Sequence, residues 1–429
     1  MSIFGAMNTA VSGLNSQSQA FGNISDNVAN SQTVGYKQVD TNFEDYLTQS
    51  TPTSNTPGSV AATASYENSV QGTVTATNNA LNLAVSGNGF FAVNTATGVS
   101  ATGTPSLSTT QSYTRAGDFS QDASGYLVNS EGDYLDGWAV DSATGNTTTN
   151  TLAPIQVSTA PNPPTETSSV ALSANLPTTP SSTTALTSNV NVYDNQGNDE
   201  PLTLSYAQSA TTANTWTMTV AQNGTAIGTA NLTFGADGTL ASLGSATGGI
   251  TLPTTVSGAG NVASLSFTPP TGNFSAPITL SMGNFGSSSG VTQYAGTSLD
   301  LNSLTQNGMA SGTYSGTTIN SSGQVIASYS NGNNAIVAQV PLANFADADG
   351  LQRENGQNFA ATTDSGTANV VAENTDGTGS LVTSSVESSN VNLSLQLTQL
   401  IVAQQAYSAN TKVVTAADQL LQTTISMVT

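Results

Sequence analysis

Residues 391–428 read VNLSLQLTQLIVAQQAYSANTKVVTAADQLLQTTISMV. Val386, Leu393, Leu400, Tyr407, Val414, Leu421 and Val428 recur every seven positions, and Leu397, Ile401, Ala403, Ala417 and Ile425 widen the stripe. That repeat is the period of a helix with one apolar face. No Gly or Pro follows Gly379. The spacing predicts one long amphipathic helix from about Val391 to Ser426.

The opposite end repeats the pattern more briefly. Met7, Leu14, Phe21 and Val28 are seven apart, with Ala10 and Ile24 beside them. Gly5, Gly13 and Gly22 each cost a helix about 1 kcal/mol relative to Ala, so this segment must draw stability from packing. Residues 1–36 carry one charged side chain, Asp26, and residues 381–429 carry Glu387, Lys412 and Asp418. An exposed helix normally has a charged outer face. Helices this poor in charge are expected to meet neighbours on more than one side. Either the two ends pair within one molecule or they pack between molecules, and the composition favours the second. Alone, both ends are expected to fray and to order on assembly.

Between the ends the period is two, with Gly, Asn and Asp as punctuation. Leu81, Leu83 and Val85 alternate, Ser86-Gly87-Asn88-Gly89 turns, and Phe91 and Val93 resume, which reads as a hairpin. Val190 and Val192 lead through Asp194–Asn198 to Leu202, Leu204 and Tyr206, while Trp216, Met218 and Val220 run into Asn223-Gly224. Val325, Ala327 and Tyr329 reach Asn331-Gly332 and return as Ile336, Ala338 and Val340. Thr51–Pro57, Ala160–Thr165 and Gly286–Gly290 read as linkers or breaks. The predicted class is multidomain and mainly β, with nested β-rich domains and helical N- and C-terminal segments that form a coiled-coil-like core on assembly. The expected divisions are a helix at 1–35, an extended connector at 36–70, and an inner β domain from 71–150 with 288–380. An outer β domain is inserted at 151–287, and a second assembly helix fills 381–429.

Composition removes most chemistry. Four Lys and Arg stand against 25 Asp and Glu, a net charge of −21, with only 7% of residues charged. Nucleic acid and anionic membrane surfaces need clustered cations, so neither is an expected partner. No apolar run is long enough to span a bilayer. With no His and no Cys, catalytic triads, thiol nucleophiles and Cys/His zinc sites are excluded, and neither cofactor nor metal is expected. Gly87-x-Gly89-x-x-Ala92 matches a loose dinucleotide fingerprint but leads into a strand where a helix is needed. Asp347-Ala348-Asp349-Gly350 departs from a calcium loop at Gln352 and Asn358, and reads as a turn. Asp194, Asp199 and Glu200 could furnish a carboxylate pair, yet acids beside such a turn are turn-formers. Lys37 and Lys412 carry no dyad motif. Arg115 and Arg353 read as ion-paired structural residues. No enzyme is expected.

Residues 23–37, NISDNVANSQTVGYK, with Asn30, Thr33, Gly35, Tyr36 and Lys37, resemble the N-terminal signature of the rod and hook proteins of the bacterial flagellum. Residues 387–423 resemble the matching C-terminal signature, except that Gln405 stands where the family often carries Arg. LAVSGNGFF at 83–91, YTRAGDF at 113–119 and GYLV at 125–128 are similar to both hook and distal-rod sequences. VYDNQGN at 192–198, LTLSY at 202–206, YSNG at 329–332 and PLANF at 341–345 are similar to the hook branch. A distal-rod protein would lack the insertion.

The resemblance implies a structural subunit that polymerises into a curved tube, joins rod to filament and transmits torque as a flexible joint. It implies a homopolymer whose partners are rod, hook-cap and hook–filament junction proteins and the flagellar export apparatus. The location implied is outside the cell, reached without a cleavable leader. Met7, Leu14, Phe21, Ile24 and Val28, with Leu393, Leu397, Leu400, Ile401, Tyr407, Val414 and Leu421, are the expected assembly residues. The competing readings are a distal-rod protein, a secreted β-rich adhesin or carbohydrate-binding module, and, third, a carboxylate-based hydrolase.

Overall fold

The computed structural model describes residues 3–51, 54–99, 105–141, 144–149, 151–180 and 184–428. Two helices stand at the ends, α1 at Ile3–Ala29 and α2 at Leu393–Val428, and all elements between are strands. The chain divides into two compact units: residues 1–159, 316–328 and 334–429, and residues 160–315 with 329–333.

In the first unit α1 and α2 run antiparallel against one another. The Phe21 and Tyr407 rings meet edge to face, 6.1 Å between centroids. The expectation that the ends stay unpaired in a single chain is therefore corrected, because small residues let the backbones approach: Gly13 lies against Asn410. The segment expected as a simple connector is also different. Strands β1 (Val39–Thr51) and β2 (Ser54–Tyr66) pair antiparallel, from Val39 with Tyr66 to Thr51 with Ser54. This ribbon folds back along α1, where Thr9 Oγ1 donates to Gly58 O, Ser16 Oγ to Val60 O and Asn23 Nδ2 to Thr41 Oγ1. Helix hydroxyls and amides bind ribbon backbone and side chains, so few apolar residues are needed at that contact. Pro52 and Thr53 of the expected linker lie outside the described residues; its remainder belongs to the ribbon.

The β part of this unit centres on Phe90–Val99, which pairs with Ser112–Thr114, Asp133–Ala139 and Leu342–Asn344. Strands from both sides of the outer segment thus share one sheet. Phe90 packs edge-on against Phe345 and Phe359 at 5.8 and 5.5 Å. The expected hairpin across Gly87–Gly89 does not form. Leu83–Ser86 pairs instead with Ser380–Thr383, and Gly87 and Gly89, at φ +105° and +128°, carry the chain from one sheet to another. Next to it Val74–Ala76 pairs with Ser385–Glu387, tying the exit of α1 to the entrance of α2.

The second unit is a sandwich. Five antiparallel strands run from Leu186–Tyr193 to Leu240–Gly248. They cover a mixed sheet built on Ser169–Pro177, which pairs parallel with Ile278–Asn284 and Val291–Tyr294 and antiparallel with Asp300–Gln306. Leu202, Leu204, Tyr206, Trp216 and Met218 meet Leu172, Leu265 and Leu280 in one buried core. The expected boundary at 287 falls inside this unit, because the two strands after it pair with Ser169–Pro177; Gly286–Gly290 is a turn within the sheet. Asn223 and Gly224, both at positive φ, close the two-residue hairpin expected there.

Candidate assembly site

The chain's signature segments converge on a buried polar hub in the first unit. α1 ends at Ala29, and Gly35, at φ +71°, turns the chain so closely past Ala116 that a Cβ would stand 2.4 Å from its backbone nitrogen. Gly35 N–H donates to Glu387 O. The turn delivers Tyr36 and Lys37 inward, and Lys37, Arg115 and Glu387 are 0%, 2% and 1% exposed. Lys37 Nζ donates to Glu387 Oε1 at 2.6 Å and to Val70 O at 2.7 Å. Arg115 Nη1 donates to Glu387 Oε2 at 3.0 Å and Nη2 to Gly87 O at 2.8 Å, with the guanidinium 5.0 Å over the Phe90 ring. Gly72 N–H adds a third donor to Glu387. Two cations on one carboxylate leave a local net charge of +1. Burial pulls the Lys37 ammonium down to about 8, against the attraction of Glu387, and lowers Arg115 for the same reason.

A second network joins this hub to the helices. The Tyr36 hydroxyl is 3.1 Å from both Asp26 Oδ2 and Asn27 Oδ1. Burial pushes it up to about 12, with Arg353 opposing and Asp26 reinforcing. Arg353 stacks 4.8 Å over its ring. Asn27, fully buried, donates to Val39 O and to Gln396 Oε1 on α2, and accepts from Val39 N–H. Asn390 accepts from Gln38 N–H. Asn30 Nδ2 donates to Asp26 Oδ1, and Thr33 Oγ1 to Asn30 Oδ1, which closes the end of α1.

Along the helices Ile24 is buried, while Met7, Leu14, Phe21 and Val28 are half-buried. On α2 the seven-spaced residues lie at the margin of the seam: Leu400, Val414 and Leu421 are half-buried, and Leu393, Leu397, Ile401 and Tyr407 are exposed. The deepest row is Gln396, Ala403 and Ala417, with Asn410 against Gly13. A search for large apolar residues misses this row because its members are small or polar. Asn27, Gln396 and Glu387 were equally missed. The signal for Glu387 was present: it is the sole acid between Asp376 and Asp418, as Lys37 is the sole charge between Asp26 and Asp40.

The other candidates are engaged structurally. Asp349 accepts from Ser69 N–H and Oγ. Asp194 accepts from Gln196, Asn198 and Asn273 N–H groups. Asp199 accepts from Asn191, and Glu200 from Gln222. Lys412 is exposed on α2. Among the described residues no cluster of acids could hold a metal ion, and no helix is long and apolar enough to cross a membrane.

Paired terminal helices, joined through a hub of signature residues to the β strands of their own unit, define an axial subunit of the rod-and-hook class. Four family models match in order: the flagella basal body rod protein over 7–37, the flagellar hook protein FlgE/F/G D1 domain over 84–175, the flagellar basal body protein FlaE D2 domain over 162–309, and the flagellar basal body rod FlgEFG protein C-terminal over 382–427. The flagellar hook protein FlgE of Brucella abortus is 32% identical across 100% of both chains. That of Rhizobium meliloti is 30% identical across 100% of both, and that of Escherichia coli K12 is 30% identical over 98% of this chain and 100% of its own. The crystal structure of Helicobacter pylori flagellar hook protein FlgE2 aligns with TM-score 0.48 at 14% identity, covering 72% of this chain and 98% of that one. The chain belongs to the flagellar hook protein FlgE family.

Proposed function

We propose that this chain is the structural subunit of a flagellar hook, polymerising through its paired terminal helices into a curved tube outside the cell. The observation that carries the reading is the kinship with hook proteins over the entire chain. The match to the D2 model at 162–309 favours the hook over a shorter rod protein. The tube couples rod to filament and transmits torque. Its other partners are rod, hook-cap and hook–filament junction proteins, and it leaves the cell through the flagellar export apparatus. Weak hydrated contacts between the β parts of neighbouring copies suit a joint that must adopt several nearly equal packings.

Electron microscopy of the purified full chain after salt-induced association tests this. Short bent tubes are expected. Absence of any tubular polymer across salt and protein concentration would count against it.

A further inference from the structure

Helix α2 carries a second heptad seam that the single chain leaves unoccupied. Leu395, Val402, Ala409 and Ala416 are seven apart, and Ala406, Val413, Leu420 and Met427 form the alternate row, so the two rows alternate steps of four and three as in a coiled coil. The first row stands one residue, about 100°, around the helix from the buried row of Gln396, Ala403 and Ala417, and the second row, three residues on, stands about 60° from it on the same side. Leu395, Val402, Val413, Leu420 and Met427 are between 45% and 82% exposed. The stripe contains no charge. Val402 lines one cavity and Val413 a second, each shared with α1 and with Phe43 of the ribbon.

A complementary surface lies on the outward face of α1. Phe4, Val11 and Ser18 are seven apart and exposed, with Asn15 and Gly22 beside them. Gly22 is informative. Glycine weakens a helix interior, and among the described residues nothing requires it, since an added Cβ would meet none of their atoms within 4 Å. At Gly13, by contrast, the Cβ would strike Asn410. A glycine without an internal steric reason, on an uncharged face, suits the close approach of a second helix.

We infer that the Leu395–Met427 seam of one copy packs on the Phe4–Gly22 face of α1 in a second copy. The inference rests on the hook reading and names the surfaces through which copies join. Pairing α2 with α2 about a two-fold would use one patch twice and close as a dimer. A growing tube needs two different patches, which these faces supply.

Two experiments on the full chain test it. Gly22→Leu places a better helix former where the single chain has room, so the monomer should keep or gain helicity and thermal stability while losing tube formation; wild-type polymerisation by this variant would overturn the inference. The chain has no cysteine, so single-cysteine chains give clean cross-links. Val402→Cys mixed with Val11→Cys, Ser18→Cys or Gly22→Cys should yield a mixed disulfide in at least one polymer. Disulfides only between two Val402→Cys chains, or none in chains that form tubes, would overturn it while leaving the hook reading intact. Failure of the wild-type chain to form tubes would overturn both.

Discussion

The Lys37 ammonium lies 2.6 Å from a carboxylate oxygen of Glu387, although 350 positions separate the two residues in the chain. With Arg115 on the other oxygen, this carboxylate ties the segment leaving α1 and the segment entering α2 to one β unit. Glu387→Gln leaves two cations buried on a neutral amide and is expected to cost about 3–5 kcal/mol. Lys37→Met leaves Glu387 with Arg115 and should cost less. The two tryptophans report the units separately, Trp138 in the first and Trp216 in the second. Urea unfolding in a Trp216→Phe background should show the order Glu387→Gln below Lys37→Met below wild type.

Asp136 gives the same unit a pH response. Its carboxylate accepts from Gln111 Nε2, its other oxygen has no hydrogen-bond partner among the described residues, and burial, opposed by Gln111 and Asn94, raises it from 3.8 to about 6. A raised acid contributes stability that is present below pH 3.8 and lost as pH rises through 6. Asp136→Asn removes the buried charge and should stabilise the unit at pH 7 by about 2 kcal/mol, with no gain at pH 3.5. Equal gains at both pH values would show that the charge is not the cause.

The second unit is expected to respond with the opposite sign. Burial alone would raise Asp194, but hydrogen bonds from Asn198, Asn273 and Gln196 outweigh it and hold the carboxyl at about 2. That contribution is present above pH 3.8 and lost as pH falls through 2. Acid titration of Trp216 fluorescence should show a loss of stability over that window, and Asp194→Ala should flatten it.

Gly35→Ala tests the turn. The added methyl must occupy a left-handed conformation and stand 2.4 Å from Ala116 N, for an expected cost above about 2 kcal/mol. The urea midpoint of the first unit should fall accordingly, and a silent substitution would show that the turn can relax.

Helix α2 was legible because a seven-residue repeat without Gly or Pro admits few other conformations, α1 because its shorter repeat persists across Gly5, Gly13 and Gly22, and Asn223-Gly224 announces its hairpin through turn chemistry. Pairing between distant strands was not. Leu83–Ser86 has the alternation of any strand, and nothing local names Ser380–Thr383 as its partner. The hub was half legible. Rarity marked Lys37 and Glu387, but only the fold shows that they share a site with Arg115. Asn27 and Gln396 were invisible to an apolar count, since a polar pair at a helix seam looks on paper like solvent-facing surface.

The burial of Lys37 and Arg115 has a consequence for durability. A protease that cuts after Lys or Arg has four addresses on this chain, and two are sealed in the interior. Arg353 is pressed on Tyr36, and Lys412 sits in the middle of a helix that neighbours would cover. A hook built of such subunits would present trypsin-like enzymes in its surroundings with almost no place to begin.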